Sequence, residues 1–174
     1  MKKLFLILLA GTLFSCSNKQ KAADGAMGDT SANAEQDYPY SIKHPDNWEV
    51  GSTANTLIAL KALKAWENGK MDESTSYFGD TVHVEFDALD EKMPRDSVKA
   101  MFNVGWNMFK TVNIKMYDWE SVVSKDKSEE WVTVWYTQNW ETKKGVKDSL
   151  AVINDLQLKD GKIIRLSEYT RKLH

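Results

Sequence analysis

His83, Glu85 and Asp87 stand at alternate positions of one short stretch, and all three are of metal-ligating type. Val82, Val84 and Phe86 take the intervening positions, so Thr81 to Asp87 reads as a half-buried strand with one apolar and one polar face. Side chains about 6 to 7 Å apart along a strand do not converge on one ion without a ligand from another segment. The polar face is therefore read as solvated or as part of an interface, and no metal is expected. Cys16 is the only cysteine, which rules out an intramolecular disulfide and leaves thiol catalysis without a candidate in the folded part. The chain carries no G-x-S-x-G nucleophile elbow, no phosphate-binding glycine loop and no dinucleotide fingerprint, and no cofactor is expected.

A second kind of candidate is a polar residue on an apolar strand face. Tyr136 and Gln138 share the face of Val132 and Val134, and Asp118 shares that of Ile114 and Met116. A polar group in an apolar interior costs free energy unless it meets a neighbour, a water or a ligand.

The elements that must position these residues follow from periodicity. Ala54, Leu57, Ile58, Ala62, Ala65 and Trp66 recur at helical steps, with Lys61, Lys64 and Glu67 on other faces, and Asn68-Gly69 ends that helix. MDESTSYF predicts a second, shorter helix with Asp72 and Glu73 near its start. After the first strand, Ala88 to Pro94 reads as a polar loop. Asp96 or Ser97 can then cap a third helix whose apolar face is Val98, Met101, Phe102, Gly105, Trp106 and Phe109. Thr111 to Ser124, Trp131 to Trp140, Val146 to Leu158 and Ile163 to Arg171 alternate as strands, and Asp160-Gly161 is a hairpin turn. The order is ααβαββββ, which implies an antiparallel meander curved round three helices in an α+β fold.

The N-terminus has two lysines followed by an apolar run shorter than the ~20 residues of a membrane span. Residues 1-15 read as a secretion signal, and Leu13-Phe14-Ser15-Cys16 resembles the lipobox of bacterial lipoproteins. That resemblance implies a lipidated Cys16 anchoring the chain to the membrane. Ser17 after it favours, by analogy, the outer membrane facing the periplasm. Residues 16-45 are small and polar with few large apolar side chains, and read as a disordered tether. His44 reads there as a solvated linker histidine. What remains, 46-174, is one domain in length. With 23 basic and 25 acidic side chains interspersed and no basic stripe, nucleic acid is not an expected partner.

The runs ALKAWENGKMDESTSYFGDTVHVEF and NDLQLKDGKIIRLSEY resemble the first and last parts of the NTF2-like superfamily, which includes SnoaL-like cyclases and ketosteroid isomerase. The resemblance covers nearly all of 54 to 171 and implies a cone with three helices packed on a curved, mainly antiparallel sheet. Steroid isomerisation needs a carboxylate base and two oxyanion donors, a tyrosine and a protonated aspartate. Ungapped alignment from Gly69 puts Phe86 at the base position and Ala62 at the tyrosine position, so that reaction is not expected. With one residue deleted at the turn, Asn154 falls on the aspartate position. The same alignment implies that Val82, Val84 and Phe86, then Leu150, Val152, Asn154 and Leu156, then Ile164, Leu166, Glu168 and Thr170 face inward. The implied pocket residues are Asn154, Glu168, Tyr136, Gln138, Phe86 and Leu166. Glu168 is the one trusted inward carboxylate, and in an apolar cavity it could act as a general acid or base. The competing reading is that these polar groups satisfy one another or stand in water at the rim.

Of the seven tryptophans, Trp66 and Trp106 belong to helical faces. Tyr117, Trp119, Trp131 and Trp135 alternate onto the sheet face opposite the apolar set, and aromatics grouped there are expected to form a homodimer face. The alternative cover is the N-terminal segment through Tyr38, Tyr40 and Trp48. Two readings follow: a membrane-anchored, non-catalytic domain binding a small hydrophobic ligand or partner, or a SnoaL-like isomerase, cyclase or dehydratase using Glu168.

Overall fold

The computed structural model describes residues 39-44 and 48-173, and the compact unit runs Tyr40–His174. The signal sequence, Cys16 and most of the expected tether lie outside the described residues. Among the described residues no helix is long and apolar enough to cross a membrane.

The elements are β1 (Trp48–Val50), α1 (Thr53–Glu67), α2 (Met71–Ser76), β2 (Phe78–Phe86), β3 (Leu89–Pro94), α3 (Arg95–Trp106), β4 (Phe109–Ser124), β5 (Glu130–Thr142), β6 (Lys147–Lys159) and β7 (Lys162–Lys172). They form one mixed sheet in the order β1-β4-β5-β6-β7-β2-β3, with β2 and β7 parallel and every other pair antiparallel. Three helices pack on one face of it, and the core includes Val82, Val84, Val132, Val134, Leu156 and Ile163.

Two strands are additions to the expected order. β3 occupies the stretch read as a loop: Phe86 pairs with Leu89 and Val82 with Met93, closing a tight hairpin at Asp87 and Ala88. Its sequence, LDEKMP, is charged because it is an edge strand, and edge strands carry charge and proline to avoid pairing with other chains. β1 has three residues, too few for a period to register, and pairs with Val122 to Ser124.

Local chemistry explains the helices. Ser52 caps α1, its hydroxyl accepting from the Ala54 N–H at 3.1 Å. Ala59, Ala62 and Ala65 form the buried stripe, and these small side chains let α1 lie close to the sheet. Leu57, expected in that stripe, is instead exposed. Gly69 has φ +72°, and a Cβ there would stand 2.9 Å from the Trp106 ring, so both the backbone and the packing require glycine. α3 begins one residue after Pro94 with no side-chain cap bond, and Asp96 serves its first turn through the helix dipole rather than as the cap.

Two bulges change which residues face the core. In β7 the register steps from Leu158 opposite Ile163 to Gln157 opposite Arg165, so Ile163 is fully buried and Ile164, the expected inward residue, is the extra one. In β4 the register steps from Met116 opposite Tyr136 to Asp118 opposite Trp135. Tyr117 becomes the extra residue, Asp118 turns to the outer face, and Trp119 comes opposite the inward-facing Val134. The expected placement of Asp118 and Trp119 is therefore reversed. Strict alternation fails wherever a strand gains one unpaired residue.

Candidate functional site

Between the helices and the concave sheet lies a cavity of about 290 Å³. Its wall includes Ala59, Ala62 and Trp66 of α1, Met101, Phe102 and Gly105 of α3, and Phe78 and Phe86 of β2. The space exists because the helices contribute small residues to it: a Cβ added at Gly105 would meet nothing within 4 Å. Large aromatic side chains supply much of the rest, with Phe78 and Phe102 in edge-to-face contact at 5.9 Å.

All six pocket residues named above, Asn154, Glu168, Tyr136, Gln138, Phe86 and Leu166, stand in this wall. The strand register brings them together. Asn154 of β6 is opposite Glu168 of β7 and Val134 of β5, and Phe86 of β2 is opposite Glu168 on its other side. The Asn154 amide oxygen accepts from the Tyr136 hydroxyl at 3.0 Å, while its nitrogen donates to Glu168 Oε2 at 3.1 Å and to the Ile153 carbonyl at 3.3 Å. The reversed amide would keep a 3.0 Å bond to Tyr136 but set its oxygen against the carboxylate, so the first orientation is the satisfied one. Thr170 is exposed, outside this wall.

Tyr136 is almost fully covered, and burial, reinforced by the Glu168 charge, pushes its hydroxyl well above the ordinary tyrosine value. Burial likewise pushes the Glu168 carboxyl up to about 7. It is thus poised to exchange a proton near neutrality, and when protonated it can donate as well as accept. Among the described residues, no second carboxylate, histidine or lysine belongs to the wall.

On the outer sheet face His83 and Glu85 are joined by Asp90 of β3 rather than by Asp87, and their ligand atoms lie within 4.8 Å of one another. Asp87 sits at φ 45° in the hairpin. Arg165 Nε donates to Glu85 Oε2 at 2.9 Å, its Nη2 reaches Oε1, and the Ser167 hydroxyl also bonds this carboxylate. These donors, Arg165 first, hold Glu85 down at about 2. His83 Nε2 bonds Asp90 Oδ1 at 2.6 Å. The cluster is an ion-pair network that already has its cation in Arg165.

Two residues outside the sequence-derived candidates are set into the structure by polar contacts. Glu67, placed on a polar helix face, is buried, accepting from the Ile114 N–H at 2.8 Å and from Lys64 Nζ at 2.6 Å. His44 is not a solvated histidine: its ring meets Trp48 edge-on at 5.3 Å and its Nε2 is 3.7 Å from Glu129. The Ile114 amide and the Glu129 carboxylate are distant in sequence from these residues, so neither of those contacts had a local signal.

Tyr117, Trp131 and Trp135 do share the outer face, with Tyr117 bonded to Thr137 at 2.5 Å and Arg165 stacked 5.7 Å above the Trp131 ring. Trp135, Ile153 and Tyr169 form a directly opposed row across three strands there, a continuation the sequence reading missed.

No protein-family model matches the chain, and no curated protein does. Solved structures do. An LEH-like epoxide hydrolase from M. tuberculosis superposes with a TM-score of 0.56 at 14% identity, over 73% of this chain and 86% of that one. A putative SnoaL-like polyketide cyclase from Jannaschia sp. CCS1 gives 0.56 at 14%, over 75% and 91%. A hypothetical protein with a ketosteroid isomerase-like fold from Catenulispora acidiphila DSM 44928, solved in complex with trimethylamine, gives 0.53 at 14%, over 64% and 83%. The chain has the NTF2-like fold. Proteins described with different activities share it, so the site rather than the fold carries function.

Proposed function

We infer that this chain is an envelope protein that binds a small, mostly apolar molecule in its cone, anchored to the outer membrane through a lipidated Cys16. The observation that carries the binding reading is the cavity itself: about 290 Å³ of open space, walled by aromatic and small side chains, with a hydrogen-bonded Tyr136–Asn154–Glu168 group at one side. Apolar walls with a few convergent polar groups are what small-molecule sites have in common. A space of this size suits a compact ligand. The outer row of Trp135, Ile153 and Tyr169 supports docking of a second copy.

Thermal unfolding in the presence of cyclohexanol tests the binding reading. The midpoint should rise with ligand concentration, and Ala62→Phe, which fills the cavity, should abolish the rise. No rise in the wild type would overturn it. Anchoring is tested by globomycin treatment of expressing cells, which should accumulate the uncleaved precursor.

A second reading, an isomerase, cyclase or dehydratase, is favoured by one observation: Glu168 titrates near 7 in a largely apolar wall, where a general acid or base works best. It lacks a partner for the second proton, since Tyr136 is pushed out of the useful range.

A further inference from the structure

The cavity and the recess beside it carry net charge of the same sign. Phe86 and Glu168 border both the cavity and a second, polar recess of about 440 Å³. That recess is walled by the carboxylates of Glu85, Asp87 and Asp90 against a single guanidinium, Arg165. Arg165 is committed to Glu85 through Nε at 2.9 Å, leaving Asp87 and Asp90 to set the sign of the field, with His83 bonded to Asp90. A recess of one sign concentrates ligands of the other.

Among the described residues, Tyr136 is the only other titratable side chain of the cavity wall. The parts of α1, α2, α3, β2 and β6 in the wall contribute none. An anion entering there would meet a carboxylate and no cation. A neutral apolar molecule would leave that carboxylate with Asn154 as its partner and no contact of its own with the charge. Six aromatic rings belong to the wall, those of Trp66, Phe78, Phe86, Phe102, Phe109 and Tyr136, and aromatic rings attract positive charge over their faces.

Resting on the reading of the cone as a ligand site, we propose that its occupant is a small organic cation, an ammonium group on a compact apolar body, with the charged end paired to Glu168. The carboxylate accepts a charge-assisted hydrogen bond from the N–H, and the rings enclose the body. No bond is made or broken. Where Glu168 holds a proton before binding, that proton is released to the buffer.

Isothermal titration of the full chain with three probes of matched shape tests this: cyclohexylmethylamine, cyclohexylmethanol and cyclohexanecarboxylate. At about pH 8 the ammonium should bind about tenfold or more tightly than the alcohol, and the carboxylate should not bind. Between about pH 6 and about pH 8 the ammonium's affinity should rise about tenfold, with proton release at the lower pH. Glu168→Gln should erase the preference for the ammonium while the alcohol still binds, which also reports an intact cavity. Equal binding of ammonium and alcohol, or any preference for the carboxylate, overturns the cation proposal and leaves the cavity reading standing. Failure of all three probes overturns both.

Discussion

Asn154 and Glu168 are directly opposed across two antiparallel strands, and the amide of the first donates to the carboxylate of the second over 3.1 Å at the wall of a largely apolar cavity. The same amide accepts from Tyr136, so one side chain spans the polar groups at that wall. Replacing it by leucine should leave a hydroxyl and a carboxyl unpaired, at a cost of about 2 to 3 kcal/mol in urea unfolding. The Glu168 carboxyl should also move further up, read as its ¹³C chemical shift against pH.

Glu168 itself makes stability depend on pH. Its carboxyl is raised from 4.5 to about 7 in the fold, so the unfolded chain loses its proton first. Its contribution is therefore fully present below about pH 4.5 and is lost as pH rises through about 7. Glu168 is mostly buried but borders the outer recess as well, and about 3 kcal/mol is an upper bound for the loss. Glu168→Gln should remove this slope from unfolding free energies measured at a series of pH values; an unchanged slope would show that the carboxyl is not shifted.

Glu85 behaves in the opposite sense. Arg165 and Ser167 lower it to about 2, so its contribution is present above 4.5 and is lost as pH falls toward 2. Glu85→Gln should weaken acid sensitivity in that window and cost about 1 to 2 kcal/mol at neutral pH, because Arg165 keeps its charge without its partner. Urea midpoints at acid and neutral pH check both.

Two glycines, Gly69 packed against Trp106 of α3 and Gly105 within α3, should respond with opposite signs. Gly69→Ala forces a Cβ into the left-handed region and against Trp106, and should destabilise by about 1 to 3 kcal/mol. Gly105→Ala puts its methyl into open space on a helix and should stabilise by about 0.5 to 1 kcal/mol. Thermal unfolding of the two variants side by side is the measurement.

If the outer-face row docks a second copy, as proposed, the wild-type chain should be dimeric in light scattering and Trp135→Glu monomeric, without loss of helix and strand signal in circular dichroism. A wild-type chain that is monomeric at high concentration would end the dimer reading.

Much of this was legible in residue order because it depends on short-range period. Alternation marked β5, β6 and most of β4 and β7, and three- and four-residue steps marked α1 and α3, since a face must be apolar to be buried. Resemblance carried the inward assignment of Asn154 and Glu168. What residue order left unstated were pairings between distant segments. A charged stretch became β3 only because β2 offered it an edge, and two bulges set Ile163 in the core and turned Trp119 toward Val134. Asp90 came to His83, and Glu67 to the Ile114 amide, across turns and layers that no local pattern encodes. The titration of Glu168 belongs to the same class: a glutamate's type is written in the chain, but its proton affinity is set by the low-dielectric wall that five strands and three helices assemble round it.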